Sequence, residues 1–203
     1  MTQQYLYQLQ QTGNEEYFRA AENDAEFYFN KYIYPFVPDI DGKVILELAC
    51  GHGRMTNQIL KKNNPFEIIL VDINVDNIFF CEDRFKSREG KFSFIKNDGL
   101  TLKEVKDSSV DFLFSFDSMV HFNFELMRKY EMEIERVLIK GGRAFIHYSN
   151  CDDVDGEQMG HGLRGSMNND AMLRLLTGLR IIHDEVIDWS GVKDLDAIIV
   201  FEK

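Results

Sequence analysis

The amino-acid sequence predicts an α/β protein with a doubly wound, seven-stranded sheet, a C-terminal antiparallel hairpin and an N-terminal helical cap. Two observations predict this fold class. The apolar run at residues 43–48 leads directly into a glycine turn and a helical stretch, as a buried parallel strand does. Near the C-terminus, strand-like segments at 179–187 and 197–201 follow each other across a short turn. With no helix between them, these two strands are expected to pair antiparallel.

The order of the remaining elements supports a single domain over residues 1–203, with a cap at 1–40 and a core at 41–203. An aromatic-rich helical pattern covers residues 14–34, and Pro35 ends it. Apolar runs and helical periodicities then alternate along the chain, which is typical of parallel βαβ units. The predicted strands are 43–48, 67–71, 92–95, 110–116 and 144–148, and the predicted helices are 55–62, 75–85, 124–139 and 166–177.

Composition and charge exclude several classes of protein. The formal net charge of −11 argues against a general nucleic-acid binder, because phosphate affinity comes largely from Lys and Arg. The three cysteines, Cys50, Cys81 and Cys151, have no metal-ligand spacing and read as reduced thiols, and we expect no metal site. No secretory signal and no apolar run of membrane-spanning length is found, so the sequence predicts a cytoplasmic protein, either a monomer or a homodimer.

The glycine turn contains the motif that best indicates a ligand-binding function. Its pattern is Glu47-x-Ala49-x-Gly51-x-Gly53, and Asp72 follows 19 residues after Gly53 at the end of the second strand. Glycine lets a ligand approach the backbone closely, and an acidic residue at this distance is placed to accept hydrogen bonds from ribose hydroxyls. The pattern resembles the first motif of class I S-adenosylmethionine-dependent methyltransferases, with Ala49 in place of the first glycine.

A second stretch carries the same resemblance. Residues 136–143, Arg-Val-Leu-Ile-Lys-Gly-Gly-Arg, are similar to the passage from helix into fifth strand in that superfamily. The resemblance implies a Rossmann-like sheet, S-adenosylmethionine as cofactor and S-adenosylhomocysteine as product. A nicotinamide-dependent oxidoreductase is disfavoured, because Thr56 stands where Gly-x-Gly-x-x-Gly requires its third glycine.

The resemblance also implies roles for individual residues of the cofactor site. Ala49, Gly51 and Gly53 would pass close to the methionine part of the cofactor, and Glu47 would support the turn and the methionine ammonium. Asp72 would hold the ribose. The other residues implied on the same ground are Asp98 and Gly99 for the adenine, Ile73 beside the adenine face, and Phe116 near the methionine end. A plain Asp-Gly turn at Asp98, and a core role for Ile73 and Phe116, remain open.

Two histidines at strand ends are candidate catalytic bases. An oxygen acceptor must lose a proton, and histidine has an unperturbed pKa of about 6.5. His121 follows the fourth strand in a loop expected to face the substrate, and His147 lies within the fifth. A capping role for His121 and a structural role for His147 remain alternatives.

Five further residues are candidates for binding the acceptor. Tyr17 and Tyr28 lie on the N-terminal helix, which either caps the site or only packs on the domain. Tyr148 and Asn150 end the fifth strand. Arg164, in a polar loop with His161, suits an anionic group such as phosphate or carboxylate.

The predicted function is therefore methyl transfer to a small molecule, to an oxygen of a sugar, a phosphorylated compound or another metabolite. Methylation of an amine or of a protein remains an alternative, and so does a catalytically inactive binding protein. The Asn/Asp-Pro-Pro-aromatic motif of enzymes that methylate nucleic-acid bases is absent from the strand-four end. We therefore expect no nucleic-acid partner and no membrane partner.

Overall fold

A computed structural model describes residues 15–151 and 164–203. Within these ranges seven strands form one mixed sheet in the order β3-β2-β1-β4-β5-β7-β6. The strands are β1 (Val44–Leu48), β2 (Glu67–Asp72), β3 (Lys91–Lys96), β4 (Val110–Ser115), β5 (Leu138–Ser149), β6 (Arg180–Trp189) and β7 (Val192–Glu202).

The topology is that of a doubly wound sheet, as predicted. Strands β1 to β5 are parallel, and β7 pairs antiparallel with both β5 and β6. The strand order reverses at β1, which lies between β2 and β4. Ligands of such sheets bind at this switch point, outside the carboxyl ends of the strands.

Helices cover both faces of the sheet. They are α1 (Glu15–Asn23), α2 (Ala25–Tyr28), α3 (Arg54–Ile59), α4 (Val75–Phe85), α5 (Phe124–Val137) and α6 (Asn169–Leu175). A π-helical turn (Phe29–Ile33) and a short 3-10 turn (Tyr34–Phe36) follow α2, and a second 3-10 turn (Met119–His121) follows β4.

Each face of the sheet buries its own apolar core. Alternate residues of β4 point to opposite faces: Phe112 and Phe114 pack in one core, and Leu113 packs in the other with Tyr130 of α5. Both faces of the central strands are therefore buried, which explains why the parallel strands read as nearly continuous apolar runs.

The structure corrects several predicted boundaries. The N-terminal helix is not continuous over 14–34 but divides at Asp24 and passes into the π-helical turn. Helix α5 ends at Val137, because Leu138 already has extended backbone, and Gly141 and Gly142 lie within β5. The cap of α6 is Asn168, whose side chain accepts from the N–H of Ala171, and not Ser166.

The terminal hairpin is longer than predicted. Strand β6 runs to Trp189 and β7 begins at Val192, so only two residues connect them. These residues, Ser190 and Gly191, both have positive φ, at 50° and 79°. Positive φ at both central residues is the geometry of a type I′ turn, whose twist matches that of the flanking strands.

Candidate active site

A cavity of about 330 Å³ lies at the carboxyl ends of β1, β2 and β4. Its volume falls within the roughly 300–1,000 Å³ of small-molecule sites. Most of the predicted cofactor-binding residues line it: Glu47, Ala49, Gly51, Asp72, Ile73, Gly99 and Phe116. Three other predicted residues also line it: Tyr17, His121 and Arg164.

The glycine turn forms one wall of the cavity in a backbone conformation that glycine favours. Ala49, Gly51 and Gly53 all have positive φ, at 56°, 52° and 68°. Gly53 does not line the cavity, but a Cβ there would lie 2.8 Å from a ring carbon of Phe85 and 3.2 Å from Sγ of Cys81. Position 53 therefore requires glycine for two reasons, its backbone conformation and the packed core behind it.

Asp72 joins the end of β2 to this turn. Its carboxylate accepts the N–H of Gly51 (2.8 Å), the N–H of Asn74 (2.8 Å) and the side-chain amide of Asn77 (3.2 Å). Burial raises the pKa of Asp72, and the hydrogen bonds only partly oppose this rise. The spacing of 19 residues predicted from the sequence thus corresponds to direct contact between the two strand ends.

Glu47 supplies a second carboxylate, buried at the base of the cavity. One of its oxygens accepts both the N–H (3.1 Å) and the hydroxyl of Thr56. Burial raises the pKa of Glu47 to about 7, and the hydrogen bonds from Thr56 do not cancel this effect. Glu47 therefore changes charge close to neutral pH.

Asp98 does not line the cavity, in contrast to the prediction that it faces an adenine. Its carboxylate accepts the N–H groups of Leu100 and Thr101, both at 2.8 Å, and lies 3.4 Å from Nζ of Lys103. The side chain thus closes its own Asp-Gly turn, the alternative that the sequence left open. The neighbouring residues Asn97 and Gly99 form this part of the wall.

A polar cluster that the sequence analysis did not identify lies at the other end of the cavity. Asp117 accepts from Nη2 of Arg54 at 2.8 Å and from the hydroxyl of Tyr17 at 2.7 Å, through the same oxygen. Burial and the charge of Asp117 raise the pKa of Tyr17. Two signals were available in the sequence, since Asp117 lies two residues after β4 and Arg54 directly follows the glycine turn.

Helix α1 covers this end of the cavity and is held there by several contacts. Arg84 forms a forked ion pair with Glu22 at 2.7 and 2.8 Å. Nη1 of Arg54 donates to the carbonyl of Ala21. The ring of Phe18 stacks on His52 with centroids 3.8 Å apart. These contacts hold α1 over the cavity, which is one of the two roles that the sequence left open for this helix.

The two candidate catalytic histidines have different surroundings. His121 lies in the 3-10 turn after β4, is half-buried, and lines the cavity. His147 is fully buried and does not line the cavity: Nδ1 accepts the N–H of Asp117, and Nε2 contacts Asp196. Because both ring nitrogens are occupied inside the protein, His147 is not placed to act as a base on a bound acceptor.

Three of the predicted acceptor-binding residues do not line the cavity. The hydroxyl of Tyr148 donates to the side chain of Asn169, and Asn150 bonds the backbone of Asn169 and of Asp194. Tyr28 packs against the rings of Phe116, Tyr32 and Trp189. Residues from other parts of the chain bond the polar groups of Tyr148 and Asn150 and pack against the ring of Tyr28.

Comparison with known proteins agrees with the fold and the glycine turn. Residues 45–142 match the family model described as a methyltransferase domain. The match covers somewhat less than half of the chain, and it includes the glycine turn and strands β2 to β4.

Individual proteins show how wide the similarity is. The chain is 29% identical over 161 residues to a fatty-acid O-methyltransferase from Mycolicibacterium smegmatis, covering 79% of this chain and 54% of that protein. It is 28% identical over 141 residues to phosphoethanolamine N-methyltransferase 1 from Triticum aestivum, covering 68% and 27%. The chain therefore spans about half, or less, of the length of these curated relatives.

Among solved structures, a SAM-dependent methyltransferase from Leishmania major has a TM-score of 0.73 at 15% identity. The match covers 98% of this chain and 82% of that chain.

The helices within residues 15–151 and 164–203 are all too short or too polar to span a membrane. The same part of the chain contains no group of three or more side chains suited to hold a metal ion.

Proposed function

We propose that this protein transfers a methyl group from S-adenosylmethionine to a small-molecule acceptor. The observation that supports the proposal best is the cavity at the switch point, bounded by a left-handed glycine turn and by two buried carboxylates, Glu47 and Asp72. Acidic walls suit a cofactor that carries a sulfonium and an ammonium group, since opposite charges attract strongly where water is excluded.

The residues present fit this cofactor along the length of the cavity. Asp72 would accept from the ribose hydroxyls, and Ile73, Asn97 and Gly99 would surround the adenine. At the methionine end, Phe116 would lie alongside the chain, and the opposite charges of Arg54 and Asp117 match a carboxylate and an ammonium. Near the turn, Ser118 donates to the carbonyl of Ala49 (3.1 Å) and so links the ends of β4 and β1.

Catalysis would depend mainly on positioning. The cofactor supplies an already activated methyl group, so alignment of a nucleophile with it accounts for much of the rate. We assign this alignment to the part of the cavity that α1 covers; Tyr17, His121 and Arg164 all line the cavity. For an oxygen acceptor such as a hydroxyl, His121 would take the proton.

The proposed acceptor is an oxygen of a sugar, a phosphorylated metabolite or another small molecule, and the fatty-acid O-methyltransferase relative adds carboxylic acids to this group. An amine is the second candidate. It is favoured by the similarity to a phosphoethanolamine N-methyltransferase.

A transfer assay with S-adenosylmethionine deuterated at the methyl group tests the proposal. The protein is incubated with fatty acids, sugars, phosphorylated sugars and primary amines, and mass spectrometry follows the labelled methyl group. We expect S-adenosylhomocysteine and one methylated acceptor to form in equal amounts. His121→Ala should lower turnover and leave cofactor affinity intact. His183→Ala is the matched control, because His183 bonds Glu185 away from the cavity.

Two results would contradict parts of the proposal. Tight cofactor binding without transfer to any acceptor class would favour the inactive binding protein. Equal loss of turnover and cofactor affinity in His121→Ala would make His121 a cofactor-binding residue instead of a base.

A further inference from the structure

Asp117 has an unusual backbone. It lies two residues after β4 and has φ of +59°, a left-handed conformation that residues other than glycine rarely adopt. Such conformations persist where the surroundings determine them, and they concentrate at functional sites. Here the surroundings act on both parts of the residue: Arg54 and Tyr17 hold the carboxylate, and His147 holds the peptide N–H.

His147 is itself fixed from the opposite side. Its Nδ1 accepts the N–H of Asp117 at 3.1 Å, so Nε2 carries the ring proton and donates it to Asp196, also at 3.1 Å. The ring packs 4.6 Å from Trp189 and 4.8 Å from Phe116, measured between centroids. Neither His147 nor Asp196 is exposed to solvent.

Arg164 completes the network. Its Nε and Nη2 donate to the two oxygens of Asp196 at 2.8 and 2.7 Å. Burial alone would raise the pKa of Asp196, but the hydrogen bonds from His147 and Arg164 and the charge of Arg164 outweigh burial and bring this pKa below its ordinary value. Asp196 therefore stays ionised and keeps His147 in a single tautomer and orientation.

We propose that His147 is a positioning residue, and that His147, Asp196 and Arg164 brace Asp117 in the conformation that presents its carboxylate to the cofactor. This inference rests on the proposed function, in which Asp117 meets the methionine ammonium. It gives His147 a specific role in binding that acts through the Asp117 peptide.

Amide replacements separate the two hydrogen bonds of His147. In His147→Asn the amide can accept the Asp117 N–H from about the position of Nδ1, but it does not reach Asp196. In His147→Gln the amide reaches the position of Nε2, but the bond to Asp117 is lost. His183→Gln, on the edge strand β6 and outside the cavity, is the matched control.

The readout is calorimetric affinity for S-adenosylhomocysteine and for 5′-methylthioadenosine, which lacks the amino-acid part of the cofactor. We expect His147→Gln to weaken S-adenosylhomocysteine binding about tenfold, the scale of a hydrogen bond to a charged group, and to leave 5′-methylthioadenosine binding unchanged. His147→Asn should weaken S-adenosylhomocysteine binding less than His147→Gln does, because it keeps the bond to Asp117 and loses only the contact with Asp196, and His183→Gln should bind both ligands like the unmodified protein. Thermal unfolding checks that each variant is folded.

Asp117→Asn distinguishes failure of this inference from failure of the proposed function. If Asp117→Asn weakens S-adenosylhomocysteine binding but His147→Gln does not, the brace is overturned and the role of Asp117 stands. If neither variant changes the affinity ratio of the two ligands, Asp117 does not meet the methionine end. Equal weakening of both ligands in His147→Gln would show general structural damage, which also overturns the brace.

Discussion

The sequence predicts the residues at one end of the cavity better than the residues at the other. At the cofactor end, seven of nine predicted residues line the cavity, and the two that do not, Gly53 and Asp98, lie in the adjoining turns. At the acceptor end, Tyr28, His147, Tyr148 and Asn150 bond or pack inside the protein instead. Local backbone geometry builds the first end, and contacts between distant parts of the chain build the second.

The largest expected effect sharpens the description of the cofactor end. Gly53→Ala combines left-handed strain with overpacking against Phe85, which together should lower the free energy of unfolding by roughly 2–5 kcal/mol. Urea denaturation measures this loss. Gly141→Ala is the matched control, because φ is +80° there but no atom lies within 4 Å of the added Cβ. Equal losses in the two variants would mean that the Phe85 contact adds nothing.

The next effect concerns the buried carboxylate of Glu47 and the dependence of stability on pH. Its folded-state pKa is raised to about 7, while an unfolded glutamate titrates near 4.3. The protonated folded form is therefore favoured at low pH, and stability is lost as the pH rises from about 4.3 through about 7, by roughly 4 kcal/mol in total. Glu47→Gln should remove this loss.

Unfolding free energies of both proteins between pH 5 and pH 8 test the prediction. As the pH rises, the free energy of unfolding of Glu47→Gln should increase relative to that of the unmodified protein. A difference that stays constant with pH would show that Glu47 does not titrate in this range.

A smaller effect compares two acidic residues at the cofactor end. Asp72→Ala should weaken binding of S-adenosylhomocysteine by roughly 1.5–3 kcal/mol, because hydrogen bonds to a charged group are lost. Asp98→Ala should leave this affinity unchanged, since the Asp98 carboxylate faces its own turn. Calorimetry measures the affinity of both variants for S-adenosylhomocysteine. A larger loss of affinity in Asp98→Ala than in Asp72→Ala would restore Asp98 as the adenine contact.

The smallest effect tests the acceptor end. Tyr148→Phe removes one buried hydrogen bond to Asn169 and should cost about 1 kcal/mol of stability. Cofactor affinity and methyl transfer should not change, because Tyr148 does not line the cavity. A large loss of transfer with normal stability would return Tyr148 to the acceptor site.

The sequence predicted the fold and the cofactor end because both depend on short-range signals. A glycine turn after a buried strand, and an acidic residue one βα unit later, specify neighbouring strand ends directly. The placement of His147 could not be predicted in this way. Its partner Asp196 comes from β7, which pairs antiparallel with β5 so that Ser149 lies opposite Asp196. That register depends on the length of the hairpin, which the sequence pattern underestimated.

The surroundings of Asp117 could not be predicted from the sequence either. Its position after β4 was visible in the sequence, but its left-handed backbone depends on His147, and its partner Tyr17 is 100 residues away. Contacts of this kind arise from tertiary packing, and a pattern of residue types along the chain does not encode them.

The most direct test of the central claim is calorimetric titration of the purified protein with S-adenosylmethionine, S-adenosylhomocysteine and NADH. We predict micromolar binding of the first two ligands at one site per chain and no binding of NADH. Absence of binding by both S-adenosyl compounds would contradict the assignment of the cavity as a cofactor site.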